Sequence, residues 1–412
     1  MPTPGSSPPH RVFVTGLGII SPMGGDETAH LESMREGRTH FREIDFFDVS
    51  RQRVQTAGVA PIPSQLPANS RLSTSERKRL DRGVRLVIHA TAQALETAGL
   101  STLPDGTPLV VGTSAGAMSL GEEFFKKNTR GDSGRNDLTL VEHYQPQRQL
   151  SLTQRALGFR ADPLILSNAC ASGANALGHA FGQVRSGRHS IALAGGYDAL
   201  CQLVFAGFDS LQALAESGIP RPFDSQRDGL ALGEGAAMFI LENEESMLSR
   251  GATPWAELTG YGMATDLHHL TQPDPAGSAA HRSMTAACQQ AKIEPAAVQY
   301  INSHGTGTPR NDVAEANAIT SWAGDAVSRI AVSSTKSAMG HLLGGAGAVE
   351  SALCLFALRH GLLPASLNIR EPDEACTFDL VREPRQRKLE TVLTNSFGFG
   401  GSNASLVFQA AS

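Results

Sequence analysis

The chain has 412 residues, 41% of them hydrophobic and 18% charged, with a formal net charge of -5. That length supplies a sizeable core, in two ordinary domains or one large duplicated one, and the composition is that of a globular protein. The acidic balance argues against a general nucleic-acid binder, and no apolar run approaches the ~18 residues of a membrane-spanning helix.

Residues 1–10 are rich in Pro and Ser and read as a disordered leader, without the apolar core of a signal peptide. The β-branched run Arg11-Val12-Phe13-Val14-Thr15-Gly16-Leu17-Gly18 predicts a buried strand feeding a helix at 27–37. Its Gly16-x-Gly18 pair lacks the third glycine of a dinucleotide fingerprint. Residues 38–75 form a polar surface excursion, and a helix opens at Ser75-Glu76 and runs to Ala98. Arg77, Lys78 and Arg79 near its start are either a solvated face or a dock for an anionic partner. A strand at 109–112 ends in the small-residue turn around Ala115. Residues 119–160 are mixed and polar, with a second basic cluster at Lys126, Lys127 and Arg130.

Pro163-Leu164-Ile165-Leu166 reads as a buried strand, and small residues recur at helical spacing from Ala171 to about Arg185. Cys170 stands between them. A cysteine where a strand turns into a helix faces unpaired N–H groups, and the helix dipole lowers its pKa toward a nucleophilic thiolate. The other reading is a small, buried core thiol. The cysteines, Cys170, Cys201, Cys288, Cys354 and Cys376, are scattered, odd in number and without a C-x-x-C pair. This points away from a disulfide framework or a zinc site and toward a reducing, cytoplasmic compartment.

A strand at 191–196, a turn-rich segment at 221–236 and a strand at 238–241 complete the first half. A second half begins near Trp255, with a strand at 256–262, a loop at 264–278 and a helix at 279–292. Two short strands follow, one running into His304-Gly305-Thr306-Gly307-Thr308 and one into Ser334-Thr335-Lys336. A helix after Gly344 reaches Leu358, and a glycine-rich turn at 398–401 precedes a terminal strand at 404–408. This alternation predicts an α/β architecture. The small-residue helices after Cys170 and Gly344 echo one another, which is either duplication or coincidence in an Ala-rich chain. His304 and His341 sit in turns after strands, structural or catalytic, and no spacing suits a metal.

Taken together, these motifs resemble the β-ketoacyl-acyl carrier protein synthases of the thiolase superfamily, over roughly residues 11–410. They are Val14-Thr15-Gly16-Leu17-Gly18, Ala169-Cys170-Ala171-Ser172-Gly173, Arg221-Pro222-Phe223-Asp224, Gly233-Glu234-Gly235, His304-Gly305-Thr306-Gly307-Thr308, Lys336 with Gly340-His341, and Asn395-Ser396-Phe397-Gly398-Phe399-Gly400-Gly401. The chain looks most like the elongating, synthase II-like members. The resemblance implies a duplicated five-layer α/β/α/β/α fold in halves 11–253 and 254–412, usually as a homodimer. It implies decarboxylative Claisen condensation of an acyl chain with malonyl-acyl carrier protein, in fatty acid or polyketide-type synthesis.

By resemblance, Cys170 carries the acyl chain, and His304 and His341 serve the malonyl enolate. Lys336 organises them and Glu350 pairs within that network. N–H groups of Cys170 and Phe399 form an oxyanion hole, with Phe399 as a swinging gate. Thr306 and Thr308 meet the phosphopantetheine arm, while Ala115, Phe208, Thr271 and Gly400 fall on the substrate side. Arg77, Lys78, Arg79, Lys126, Lys127 and Arg130 dock the acidic carrier protein. Acyl and malonyl thioesters are the expected ligands, with no resident cofactor, metal, nucleic acid or membrane. Ala115 replaces a bulkier residue common in the family, which predicts room for a longer acyl chain. A coenzyme A-dependent thiolase-type synthase would use a second cysteine in place of His341 and Lys336. A chain-length-factor-like partner subunit would lack Cys170, and nothing marks the peptide groove of a cysteine protease.

Overall fold

The β-branched runs become strands of a mixed 11-stranded sheet. A computed structural model describes residues 9–411, so the expected leader lies outside the described residues except Pro9 and His10. The His10 N–H donates to the Arg185 carbonyl at 2.9 Å.

The first half supplies β1 (Val12–Ile20), β2 (Thr107–Gly112), β3 (Ala161–Leu166), β4 (Ile191–Asp198) and β5 (Gly235–Asn243). The second supplies β6 (Ala256–Thr265), β7 (Tyr300–Asn302), β8 (Ala331–Ser333), β9 (Thr391–Phe397) and β10 (Ser402–Gln409). The sheet runs β3-β2-β4-β5-β1 and then β6-β10-β9-β7-β8, ending on the short strand Asp379–Leu380. Read inward from each end, both halves have the order third, second, fourth, fifth, first. Both also set the fifth strand antiparallel to its two neighbours and the second parallel to both of its own. β1 and β6 join the halves antiparallel through Phe13–Glu257 and Val14–Ala256.

The helices are α1 (Glu27–Glu36), α2 (Arg82–Thr97), α3 (Met118–Arg130), α4 (Leu138–Tyr144), α5 (Pro146–Leu157), α6 (Ser172–Arg185), α7 (Gln202–Ser210), α8 (Ser278–Ala291), α9 (Pro309–Ala323) and α10 (Ala346–His360). The helix expected from Ser75 is two helices. Ser73 and Glu76 form a capping box on a short one, Thr74–Arg77, and the chain restarts at Asp81, whose carboxylate accepts the Gly83 and Val84 N–H groups at 3.1 Å. The polar stretch 119–160 is largely helical.

The layering follows from where small residues allow close approach. A Cβ on Gly16 or Gly18 would lie 2.2 or 2.0 Å from α2 carbonyls, and one on Gly260 or Gly262 would lie 2.1 or 2.0 Å from α8 carbonyls. The Gly-x-Gly pairs therefore seat an outer helix on each half-sheet, and no nucleotide reading is needed. Between the half-sheets lie α6 and α10, the helix that follows the third strand in each half. A Cβ on Gly173 would come within 2.9 Å of the Ala348 N, and one on Gly347 within 2.8 Å of the Ala174 N. The central cluster unites α6 (Leu177, Phe181) and α10 (Leu353, Phe356), flanked by an outer cluster on each side. This is the α/β/α/β/α thiolase-like architecture.

A second expectation fails. β3 is not a buried strand: among the described residues it is the open edge of the sheet, paired only with β2, and Leu164 is 38% exposed. An apolar run cannot report whether a neighbouring strand covers it.

Candidate active site

β3 leads through Ser167 and Asn168 to Ala169, whose φ of 53° is unusual for a residue with a side chain. The turn is held at its carbonyl. The Ala169 oxygen accepts the Ser172 hydroxyl at 2.5 Å and the Ser114 hydroxyl at 2.9 Å, while the Asn168 N–H donates to the Ser172 oxygen at 2.9 Å. Ser114 is fixed in turn by Asp198 at the end of β4. This buried carboxylate accepts the Thr113 hydroxyl at 2.6 Å and the N–H groups of Ser114 (3.0 Å), Ala115 (2.8 Å), Gly116 (3.0 Å) and Gly344 (2.6 Å).

Cys170 follows this turn, one residue before the α6 N-cap, and is only 9% exposed. Burial pushes its thiol up to about 12, against the opposing pull of Lys336. Desolvation of the sulfur thus works against the helix dipole. Gly398 packs on the same backbone. A Cβ there would lie 3.1 Å from the Cys170 N and 3.2 Å from the Asn168 carbonyl, so glycine lets the Phe399 turn lie against Cys170 without crowding.

His304 stands just past β7, and two carboxylates of α9 hold its loop from behind. Glu315 accepts the His304 and Gly305 N–H groups at 2.8 and 2.7 Å, and Asp312 accepts those of Thr306 and Gly307 at 3.0 and 3.1 Å. Burial raises the Glu315 carboxyl to about 7, with the two N–H groups pulling the other way. The Lys336 Nζ lies 3.4 Å from His304 Nδ1 and forms a fully buried ion pair with Glu350. Burial drives Glu350 up to about 7, opposed by Lys336. The His304 and His341 rings meet edge-on, 5.3 Å between centroids. Burial holds both well below the usual histidine range, reinforced by Lys336, so both imidazoles are neutral at pH 7. With Nδ1 of His304 facing Lys336 as acceptor, its proton sits on Nε2.

These groups face one chamber of about 350 Å³. Cys170, His304, His341, Phe399, Thr306, Thr308, Phe208 and Thr271 all line it. The Phe399 ring is 42% exposed and stacks on Phe208 at 6.1 Å. A cysteine, two neutral imidazoles and a flanking Lys–Glu pair make a site suited to forming a thioester and then stabilising an enolate.

The profile of the beta-ketoacyl synthase N-terminal domain matches residues 10–246, and that of the C-terminal domain matches residues 255–370. The chain belongs to the β-ketoacyl synthase family. It is a condensing enzyme of the acyltransferase class. A 3-oxoacyl-[acyl-carrier-protein] synthase 2 of Synechocystis is 36% identical to it over 97% of this chain and 98% of the relative. Among solved structures, the ishigamide ketosynthase/chain length factor superposes with a TM-score of 0.89 at 30% identity, covering 98% of this chain and all of that one. A ketosynthase bound to a hexaketide, in complex with its type II PKS acyl-carrier protein, gives a TM-score of 0.86 at 26% identity, covering 98% of this chain and 100% of that one.

Other expected site residues of this β-ketoacyl synthase lie off the chamber wall. Lys336 and Glu350 form a layer behind the histidines. The Gly400 N–H donates to the Leu270 carbonyl at 2.8 Å, tying the Phe399 turn to the 266–277 loop. Ala115 is 5% exposed in a buried cluster with Leu200, Phe205 and Leu343, and the room expected beside it is no part of the chamber. None of the six basic residues lines the chamber either. Arg77 donates to the Ser70 and Leu72 carbonyls at 2.8 and 2.9 Å, and Lys127 pairs with Asp137 at 2.8 Å. Asp198 and Glu315 were not singled out from the sequence. The i, i+3 pair Asp312 and Glu315, just after the Thr308-Pro309 helix start, was the available signal for the latter.

Proposed function

We propose that this synthase takes an acyl chain from an acyl carrier protein onto Cys170 and condenses it with malonyl-acyl carrier protein. The carrying observation is the shared chamber of Cys170, His304 and His341, with both imidazoles neutral and the Lys336–Glu350 pair behind them.

In the first step the Cys170 sulfur attacks the acyl thioester carbonyl. Its proton passes to the departing carrier thiol as the thioester is exchanged. The Cys170 and Phe399 N–H groups hold the tetrahedral oxyanion. In the second step the bond between the malonyl methylene and its carboxylate breaks, CO₂ leaves, and the enolate oxygen takes N–H donors from His304 and His341. The enolate carbon attacks the acyl-cysteine carbonyl, and collapse expels the Cys170 thiolate, which recovers a proton. Thr306 and Thr308, whose hydroxyls meet at 2.8 Å, contact the arm, and Phe399 swings between steps. Every step draws on side chains and the carrier's own arm, so the reading asks for no resident cofactor. A second copy of this chain adds its own β3 to the open edge, a reading supported by the exposed Leu164 on that strand. No helix among the described residues is long and apolar enough to cross a membrane, and five free cysteines favour a cytoplasmic setting.

The test is intact-protein mass spectrometry after incubation with acyl-carrier protein. The chain gains one acyl mass and Cys170→Ala gains none; a labelled Cys170→Ala variant refutes the nucleophile.

A further inference from the structure

Residues 304–310 trace the chamber from its closed end to its rim. His304 is 4% and Thr306 5% exposed, Thr308 is partly buried, and Arg310 is exposed, yet all four line the same space. The strip therefore presents, in order, a reacting imidazole, two hydroxyls and a cation. Six residues span at most ~20 Å, room enough for a pantetheine arm and the phosphate at its far end.

Arg310 is the only lysine or arginine among the described residues lining the chamber. Its guanidinium has no hydrogen bond or ion pair among them. The carboxylates along the same wall are engaged. Asp228 pairs with Arg221 at 2.9 Å and accepts the Glu216 N–H at 3.0 Å. Asp266 accepts the His268 and Asp274 N–H groups at 2.9 and 2.8 Å, and Glu315 holds the His304 loop. An unpaired guanidinium at the mouth of a site that admits long thioester arms is a seat for an incoming anion.

We propose that Arg310 binds the phosphate of the pantetheine arm, setting how deeply the thioester reaches toward Cys170. The inference rests on the thioester reading of the site. A carrier protein and coenzyme A both present phosphorylated pantetheine, and that shared group is the ligand. The guanidinium supplies two parallel N–H donors to the phosphate oxygens, and no covalent bond changes there.

The experiment measures acyl transfer to Cys170, as kcat/KM, from the same acyl group on pantetheine, 4′-phosphopantetheine, coenzyme A and carrier protein. The wild type prefers 4′-phosphopantetheine to pantetheine by about 10-fold, the worth of one charge-assisted contact. In Arg310→Ala that preference shrinks to within about 2-fold, and Arg310→Lys restores part of it because the charge remains. Parallel losses on coenzyme A and carrier protein support the shared phosphate. A preference that survives Arg310→Ala overturns the assignment. A loss confined to carrier protein also overturns it, since Arg310 then meets the carrier's surface. A wild type that accepts an acyl group from no arm defeats the function reading itself, which is a different result. Equal melting temperatures of the variants exclude a folding effect.

Discussion

The last residues before α6 and before α10 correspond, although the connection from β3 spans 167–171 and the one from β8 spans 334–345 and includes the short helix Lys336–Met339. Ala169, at φ 53°, stands three positions before the first residue of α6, and Leu343, at φ 51°, stands three before the first residue of α10. Cys170 in one copy therefore corresponds to Gly344 in the other, and Gly173 to Gly347. The copies differ in what the turn offers. The first presents a sulfur to the chamber. In the second, a Cβ on Gly344 would lie 2.6 Å from the Ser114 N, so no side chain fits, and His341 lines the chamber from just upstream. Duplication supplied one backbone device twice, and the two sites were then given different chemistry.

The sharpest way to break this comparison is to strip the second copy of its chemistry. His304→Ala or His341→Ala should lower condensation about a hundred- to a thousandfold, while Cys170 still gains an acyl mass. Normal condensation by both variants would show that the second half does not do the work assigned to it. The shared scaffold is probed at the helix crossing. Gly173→Val and Gly347→Val should each cost about 2–3 kcal/mol by overpacking, read as a lower denaturation midpoint; a drop in only one would mean the two turns are not equivalent. A gentler change is Lys336→Met combined with Glu350→Leu, which removes the buried pair without orphaning either charge. Lys336 pulls the Cys170 thiol down more than Glu350 pushes it up, so losing both should slow alkylation by iodoacetamide severalfold across pH 7–9. Faster alkylation would reverse the assigned sign.

The smallest expected effect is in pH. Both active-site histidines are held below the ordinary 6.5, so neither should add a rate limb between pH 7.5 and 6, where the Glu315 and Glu350 carboxyls, both raised to about 7, are the groups that titrate. Stability behaves accordingly. The unfolded chain binds protons at these histidines near pH 6.5 and the folded chain does not, so their contribution is complete above 6.5 and lost as pH falls below it. An NMR titration that placed either ring at or above 6.5 would show that the rings charge freely.

Much of this was legible in the sequence, for identifiable reasons. Strands and helices followed from β-branched runs and helical spacing, and Cys170, His304 and His341 stood out in small-residue turns after strands, although the short helix Lys336–Met339 separates His341 from β8. What stayed hidden depends on partners distant in the chain. The exposure of β3 rests on which neighbour its edge finds. The thiol's upward shift is a matter of burial, which a helix-start argument does not weigh. Ala115 does not line the chamber because it sits in a cluster with Leu200 and Phe205, far along the chain. The helix start near residue 75 failed locally, since Ser73 and Asp81 each make a cap.

Asp198 has a wider consequence. Its single carboxylate holds the Ser114 turn that steadies Ala169 and also takes the Gly344 N–H across the boundary between halves. Severing the chain between β5 and β6 would strand that charge in a fragment lacking one of its donors. The repeats are thus not interchangeable cassettes. Once joined they became a single cooperative body, and swapping one half between relatives must carry this junction with it.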